Sequence, residues 1–168
     1  MGEILKLPGN IKMTNKTKLA IIQIRGTVNT HPDVKKTLEL LRLKQKHACA
    51  VHENDAIIKG MFSRVKDYVT FGEIDEATFK ALLDKRGEVI GGKSLKEEKV
   101  DSTKIAKEYF EGKIKLRDFD AKYRVKPYFR LHPPKGGFER GGIKQPFTKG
   151  GALGNRGDKI KELILKML

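Results

Sequence analysis

The residues best suited to chemistry in this chain lie between Tyr128 and Arg156, where basic side chains alternate with glycines. This stretch contains seven glycines, and an eighth, Gly157, follows directly. Backbone N–H groups beside glycine are open to a ligand, and cations next to them bind phosphate oxygens. The pattern therefore predicts a polyanion as the partner of the stretch. Its basic residues are Arg130, His132, Lys135, Arg140, Lys144, Lys149 and Arg156.

A second group with chemical potential is His47, Cys49 and His52, because imidazole and thiolate are zinc ligands. Residues 48–53 have the small and branched side chains of a strand. Alternation along a strand would place His47 and Cys49 on one side and His52 on the other, so one ion could not easily reach all three. We therefore expect no metal site and interpret Cys49 as a small core residue.

Gly151, Gly154 and Gly157 have a spacing that resembles a nucleotide-binding loop. The phosphate loop GxxxxGK[ST] is absent, however, and these glycines follow a coil instead of a clear strand. The carboxylates mostly alternate with lysines, and no pair stands out as acid and base. We expect no catalytic residue and no cofactor. A nucleotide-using enzyme is an alternative that would require saturable nucleotide binding between Gly150 and Gly157.

The net charge of the chain narrows the class of partner. The 168 residues carry a net charge of +15, and residues 122–168 hold twelve Lys and Arg against three Asp and Glu, or 12 − 3 = +9. Such a balance is typical of proteins that bind nucleic acid or an anionic membrane surface. No apolar run approaches the roughly 20 residues of a membrane span, so we expect no membrane partner. The single Cys49 permits no internal disulfide, which suits a reducing compartment.

The hydrophobic pattern predicts three parts. Residues 1–17 read as an N-terminal arm, residues 18–87 as an α+β core, and residues 88–168 as a helical addition followed by the basic segment and a terminal helix. The core pattern is strand, helix, strand, helix, strand, and then a helix that Gly87 ends. The terminal helix begins near Asp158, and its apolar stripe would dock the tail on the core. That stripe is Ile160, Leu163, Ile164 and Met167.

Five aromatic residues also lie in the basic C-terminal third. Aromatic rings there could stack on unpaired bases of RNA, or they could anchor an extended segment on the core. Anchoring is the favoured interpretation for any single one of them. The five are Tyr123, Tyr128, Phe129, Phe138 and Phe147.

Several motifs resemble those of one family. They are IQIRGTVN from Ile22, LLRLKQ from Leu40, VTFGE from Val69, RLHPPKGGF from Arg130 and KGGALGNRGDKI from Lys149. Over residues 18–168 the chain resembles the universal L-thirty family of large-subunit ribosomal proteins, in the longer archaeal form related to eukaryotic L-seven. The two C-terminal motifs are the specific ones, because short strands and amphipathic helices match many folds.

The resemblance implies a fold and a role. The fold would be a small ferredoxin-like, three-stranded antiparallel sheet with two helices, a helical addition and an extended glycine-rich basic C-terminal segment. The protein would be a cytoplasmic, non-enzymatic constituent of the large ribosomal subunit that contributes to its assembly and stability. Its partners would be large-subunit ribosomal RNA, with the 5S RNA as a candidate, and neighbouring ribosomal proteins.

The resemblance also implies a set of RNA-facing residues in two groups. For three of the first group, Arg25, Asn29 and His31, a purely structural role in the turn after the first strand is the alternative. A free RNA or DNA chaperone is the alternative for the whole protein; it would share the charge and would not sediment with ribosomes in fixed stoichiometry. The first group is Arg25, Gly26, Asn29 and His31, and the second is Arg130, His132, Lys135, Gly136, Gly137, Gly150, Gly151, Asn155 and Arg156.

Overall fold

Strands and helices alternate along the first half of the chain, in the predicted order. The computed structural model describes residues 17–95, 97–98 and 100–168, and only the main chain of Arg117. The strands are β1 (Lys18–Gln23), β2 (Ala48–Glu53), β3 (Val69–Ile74), β4 (Phe129–Arg130) and β5 (Gly154–Asn155). The helices are α1 (Pro32–Leu40), α2 (Ala56–Val65), α3 (Glu76–Arg86), α4 (Ser102–Phe110), α5 (Phe119–Tyr123) and α6 (Ile160–Met167).

The first strand is buried along its whole length, and apolar from Leu19 to Ile22, because both of its faces are covered. Successive side chains of a strand point to opposite sides of the sheet. Leu19 and Ile21 pack with α1 and α2 in one hydrophobic cluster, whereas Ala20 and Ile22 pack in a second cluster on the opposite face. The sheet is therefore the middle layer of three.

The second cluster joins residues on both sides of the predicted boundary at residue 87. Phe79 of α3, Tyr109 of α4 and Ile164 of α6 are all fully buried in it. Tyr109 also donates a hydrogen bond to the carbonyl oxygen of Val51, at 2.6 Å. The predicted helical addition thus forms the third layer, and the predicted apolar stripe of α6 lies inside this cluster.

Gly72 sets how closely the C-terminal part approaches the sheet. A β-carbon at this position would lie 2.2 Å from the carbonyl oxygen of Gly157 and 2.8 Å from the β-carbon of Ile160. Real β-carbons do not approach other atoms so closely, so a larger residue here would push the start of α6 away.

The sheet has five strands, so the expectation of three strands is corrected. The strand order is β4-β2-β1-β3-β5, and the predicted antiparallel trio forms its centre. β4 pairs antiparallel with β2, and β5 pairs parallel with β3. Each added strand is two residues long, too short to produce a periodic pattern. The basic segment is likewise folded against the sheet through these two strands instead of extending away from it.

The predicted N-terminal arm lies outside the described residues, except for Thr17. Thr17 is held beside the end of β2, because its hydroxyl oxygen accepts a 2.8 Å hydrogen bond from the side-chain amide of Asn54. Among the described residues, no helix has the length and apolar character needed to cross a bilayer.

Candidate nucleic-acid interface

Sheet topology brings the predicted contact residues to one end of the molecule. β1 runs antiparallel to β2 and to β3, so the end of β1 and the beginnings of the other two strands share one end of the sheet. At this end Ala48 pairs with Arg130 and Thr70 pairs with Gly154. The chain leaves the sheet after β4 and returns with β5 on this same side. We call the segments 24–31, 44–47, 66–68 and 130–153, which lie here, the loop end.

The two ends of the sheet differ in charge. The loop end contains nine Lys and Arg residues against two acidic ones, Asp67 and Glu139. The opposite end, where β2 and β3 finish, carries Glu53, Glu73 and Asp75. Two of these are neutralised by ion pairs, Glu53 with Lys18 and Asp75 with Lys161. This polarity favours a polyanion at the loop end. The nine are Arg25, Lys44, Lys46, Lys66, Arg130, Lys135, Arg140, Lys144 and Lys149.

Three of these cations were not among the sequence-predicted contacts. Lys44 and Lys46 lie in the exposed link before β2, and Lys66 is exposed before β3. The sequence signal for the first two was the polar run KQK that follows the buried Leu43, in which all three side chains are exposed.

The turn after β1 is built by three of its predicted contact residues. The Arg25 guanidinium donates to the carbonyl oxygen of Asp67 at 3.2 Å and lies 5.0 Å from the ring centre of Tyr68. Asn29 has a left-handed backbone, with φ of 54°. Nδ1 of His31 accepts a 3.3 Å hydrogen bond from the amide of Asp33 and caps α1. The predicted turn role is therefore present, and Gly26, Asn29 and His31 are exposed.

The glycine-rich segment folds through its own main chain. Gly136 and Gly137 both have positive φ, 82° and 79°, and form a tight turn that a side chain would strain. The amide of Gly141 donates to the carbonyl oxygen of Gly150 at 3.0 Å. Gly151 is buried, and a β-carbon there would meet the carbonyl oxygen of Gln145 at 2.1 Å.

Arg156 is the central side chain on the inner side of this segment. It is 5 % exposed, and its guanidinium forms a two-armed ion pair with Glu139. It also donates to the hydroxyl of Thr70 at 2.9 Å and to the carbonyl oxygen of Ala152 at 3.1 Å. Hydrogen bonding to this guanidinium holds the pKa of the Glu139 carboxyl below its usual value. Each guanidinium nitrogen of Arg156 thus donates a hydrogen bond to another group of the protein.

The predicted residues divide by exposure. Arg25 is half-buried, whereas Gly151 and Arg156 are buried. The others present their side chains or backbone to solvent at the loop end or in the flanking β5. The exposed set is Gly26, Asn29, His31, Arg130, His132, Lys135, Gly136, Gly137, Arg140, Lys144, Lys149, Gly150 and Asn155.

Four of the five C-terminal aromatic residues have partners within the protein. Phe129 is buried in the core, and Phe138 stacks on His47 with ring centres 6.1 Å apart. The Phe147 ring lies 4.6 Å from the Arg156 guanidinium, and the Tyr123 hydroxyl donates to Glu108 at 2.8 Å. These four match the anchoring interpretation.

The possible metal ligands are dispersed. Cys49 is fully buried in the second cluster, and burial raises the pKa of its thiol to about 12. A ring nitrogen of His52 is hydrogen-bonded to the carbonyl oxygen of Leu41, at 3.1 Å. Within the described part of the chain, no three His, Cys, Asp or Glu residues are placed to hold an ion.

Comparison with known proteins gives the family. Residues 19–69 match the family model described as ribosomal protein L30p/L7e. The protein "Large ribosomal subunit protein uL30" of Methanococcus vannielii is 42 % identical over 155 residues, which cover 89 % of this chain and 98 % of that protein. Its namesake from Staphylothermus marinus is 46 % identical over 161 residues, with 89 % and 97 % covered. Its namesake from Methanopyrus kandleri is 42 % identical over 152 residues, with 86 % and 100 % covered.

The chain therefore belongs to the ribosomal protein L30p/L7e family. This is a family of structural proteins and not of enzymes, as the sequence predicted. The expected archaeal form is confirmed by the relatives, which match this chain over nearly their whole length.

Proposed function

We propose that the protein is a structural constituent of the large ribosomal subunit and binds ribosomal RNA with its loop end. The observation that carries this proposal is the concentration of positive charge: the loop end holds nine basic residues against two acidic ones. A polyanion is attracted to the loop end, so the protein is oriented before it docks. The protein acts in the cytoplasm, as part of the ribosome.

The form of the loop end fits the backbone of RNA. Exposed lysines and arginines alternate with turns at Gly136, Gly137 and Gly150, where no side chain blocks the main chain. Cations and backbone amides bind phosphate and 2′-OH groups, which define the shape of RNA without reading its sequence. The protein would then stabilise a local RNA shape and support subunit assembly.

Arg156 has a positioning role in this proposal and does not contact RNA. Its guanidinium donates to Glu139, Thr70 and Ala152, so it holds the segment that presents the exposed cations. Gly151, buried against Gln145, has a similar packing role. The RNA contacts are assigned to Lys44 and Lys46 and to the exposed cations that follow β4.

The first test measures the salt dependence of RNA binding. We expect replacement of Arg130, Lys135, Lys144 and Lys149 by Ala to weaken binding to large-subunit ribosomal RNA. The slope of log K against log salt should flatten by about 0.7 to 0.9 for each lost phosphate contact. A matched control replaces four exposed lysines away from the loop end, Lys59, Lys80, Lys107 and Lys113. Equal slopes for the two quadruple variants would defeat the assignment of the interface.

The second test distinguishes a ribosomal constituent from a free RNA or DNA chaperone. Cell extract is sedimented through a gradient at low and at moderately raised salt, and the chain is detected in each fraction. A constituent stays with the large subunit in fixed stoichiometry at both salt concentrations, whereas a free chaperone stays near the top. Which RNA helices it contacts, and whether the 5S RNA is among them, would follow from footprinting the bound subunit.

A further inference from the structure

Tyr128 differs from the other C-terminal aromatic residues. It is half-exposed, and within the described chain its hydroxyl makes no hydrogen bond and its ring contacts no other ring and no cation. A tyrosine that anchors a segment usually buries its ring and pairs its hydroxyl. Tyr128 therefore lacks the features by which its four neighbours hold the fold.

Tyr128 forms one wall of a small cavity at the edge of the sheet. The cavity has a volume of about 60 Å³ and is lined by Lys44, Gln45, Ala48, Tyr128 and Arg130. One water needs about 10–15 Å³ on this measure, so the cavity is large enough for part of a flat ring. The pairing of Ala48 with Arg130 fixes the floor, and the link before β2 supplies Lys44 and Gln45.

The lining combines three chemical properties. Ala48 and the Tyr128 ring are apolar, Gln45 offers an amide donor and acceptor, and Lys44 and Arg130 are cations with no acidic residue beside them in the lining. An aromatic wall with cations at the rim is the arrangement by which proteins hold a base and its phosphate. Paired bases in a duplex are stacked on both sides and present no free face to such a slot.

We propose that this slot binds one unstacked nucleotide of RNA. Its base lies against the Tyr128 ring, and its phosphate lies between Lys44 and Arg130. The inference rests on the proposed function and extends it: the loop end would bind the RNA backbone by charge, and this slot would select a place where a nucleotide is turned out of its helix.

The chain contains no tryptophan, so a single introduced indole reports on its own surroundings. We would compare the Tyr128→Trp variant with a Tyr123→Trp control, whose residue is also half-exposed but lies beside Glu108 and Lys122. The probes are an eight-nucleotide oligouridylate and an RNA duplex of the same length. Stacking on a base should quench the indole fluorescence of the first variant with the single strand and not with the duplex. The control should not respond to either.

The affinities of further variants for the oligouridylate distinguish base stacking from charge attraction. We expect Tyr128→Ala to weaken binding of the oligouridylate by about 5- to 150-fold with an unchanged salt slope, since stacking involves no counterion release. Tyr128→Phe should bind within about twofold of wild type because it keeps the ring. Lys44→Gln should instead lower the salt slope by about 0.7. The thermal midpoint of each variant is measured so that loss of folding is recognised.

Filter retention of the same RNA, measured in parallel, keeps the two proposals distinguishable. If the RNA is retained and the indole of Tyr128→Trp is not quenched, the slot is not a nucleotide site and the proposed function stands. Equal quenching by single strand and duplex would also overturn the slot. If neither RNA nor large-subunit ribosomal RNA is retained by the wild-type protein, both the slot and the RNA-binding interface are wrong.

Discussion

The inner and outer sides of the glycine-rich segment are both built from basic residues and glycines, but they differ in burial and in the contacts that these residues make. On the inner side Arg156 is 5 % exposed and bonded to Glu139, and Gly151 is packed against the main chain. On the outer side, Lys149 and Gly150 are exposed. Residue type alone therefore does not show whether a residue stabilises the segment or is exposed on it to bind a ligand.

The difference shows how a segment rich in glycine and charge is held on a sheet. An exposed chain of this kind does not bury enough apolar area to offset its loss of conformational entropy. The inner side supplies the missing stabilisation through one buried ion pair and through close main-chain packing. Changes on the inner side should therefore affect stability, whereas changes to the exposed basic side chains of the outer side should affect only binding.

The largest expected effect is that of Glu139→Gln. It leaves the guanidinium of Arg156 buried without its counter-charge, and breaking a buried pair in this way costs about 3–5 kcal/mol. We expect a loss near 3 kcal/mol, because the Glu139 side chain is 32 % exposed and water can partly replace it. The midpoint of urea unfolding measures the change. Glu73→Gln, at the exposed opposite end of the sheet, is the control and should change stability by less than about 0.5 kcal/mol.

The second largest effect on stability is expected for Gly72→Ala, with Gly60→Ala as its comparison. Gly72→Ala should destabilise the protein by about 1–3 kcal/mol, because the new β-carbon meets the main chain of Gly157 and the side chain of Ile160. Gly60→Ala, inside α2 with no atom near the new β-carbon, should stabilise it by up to about 1 kcal/mol. Thermal unfolding of both variants shows whether each substitution lowers or raises the stability of the protein. A Gly72→Ala protein as stable as wild type would mean that α6 does not pack closely on β3.

Much of the inner arrangement could not be predicted from the sequence. The central strands and the apolar stripe of α6 were predicted, because periodicity reports burial directly. β4 and β5 are two residues long, too short to show a hydrophobic periodicity. Pairs such as Ala48 with Arg130 could therefore not be predicted from the sequence. The buried state of Arg156 depends on Glu139, seventeen residues away, meeting it across the folded segment.

The candidate interface, too, could be predicted from the sequence only in part. The basic composition of residues 130–153 indicated a polyanion, and this needs only local sequence. That Lys44 and Lys46 lie at the same end of the sheet as residues 130–153 depends on how β2 pairs with β4, which a single sequence does not specify. Tyr128 was grouped with four aromatic residues of similar context, and only its lack of partners in the folded chain separates it from them.

A smaller effect is a change of stability with pH. The pKa of Glu139 is lowered in the folded protein by the Arg156 guanidinium. The pair therefore contributes fully above the unfolded value, about 4.3 for Glu, and the contribution is lost as pH falls through the folded value. Protonated Glu139 resembles glutamine in charge, so the stability gap between wild type and Glu139→Gln should narrow below about pH 4.3. Unfolding curves at pH 7, 4 and 3 measure the gap, and a constant gap would contradict the ion pair.

The smallest expected effect on stability is that of Lys149→Gln on the outer side. Its side chain is exposed and has no ion-pair partner in the described chain, so unfolding free energy should change by less than about 0.5 kcal/mol. Binding to large-subunit ribosomal RNA should weaken, and the log–log salt slope should fall by about 0.7 to 0.9, because one phosphate contact is lost. Lys113→Gln, an equally charged change away from the loop end, should leave the slope as it is. A variant at Lys149 that lowered stability and kept the slope would place this residue on the inner side and reverse the comparison.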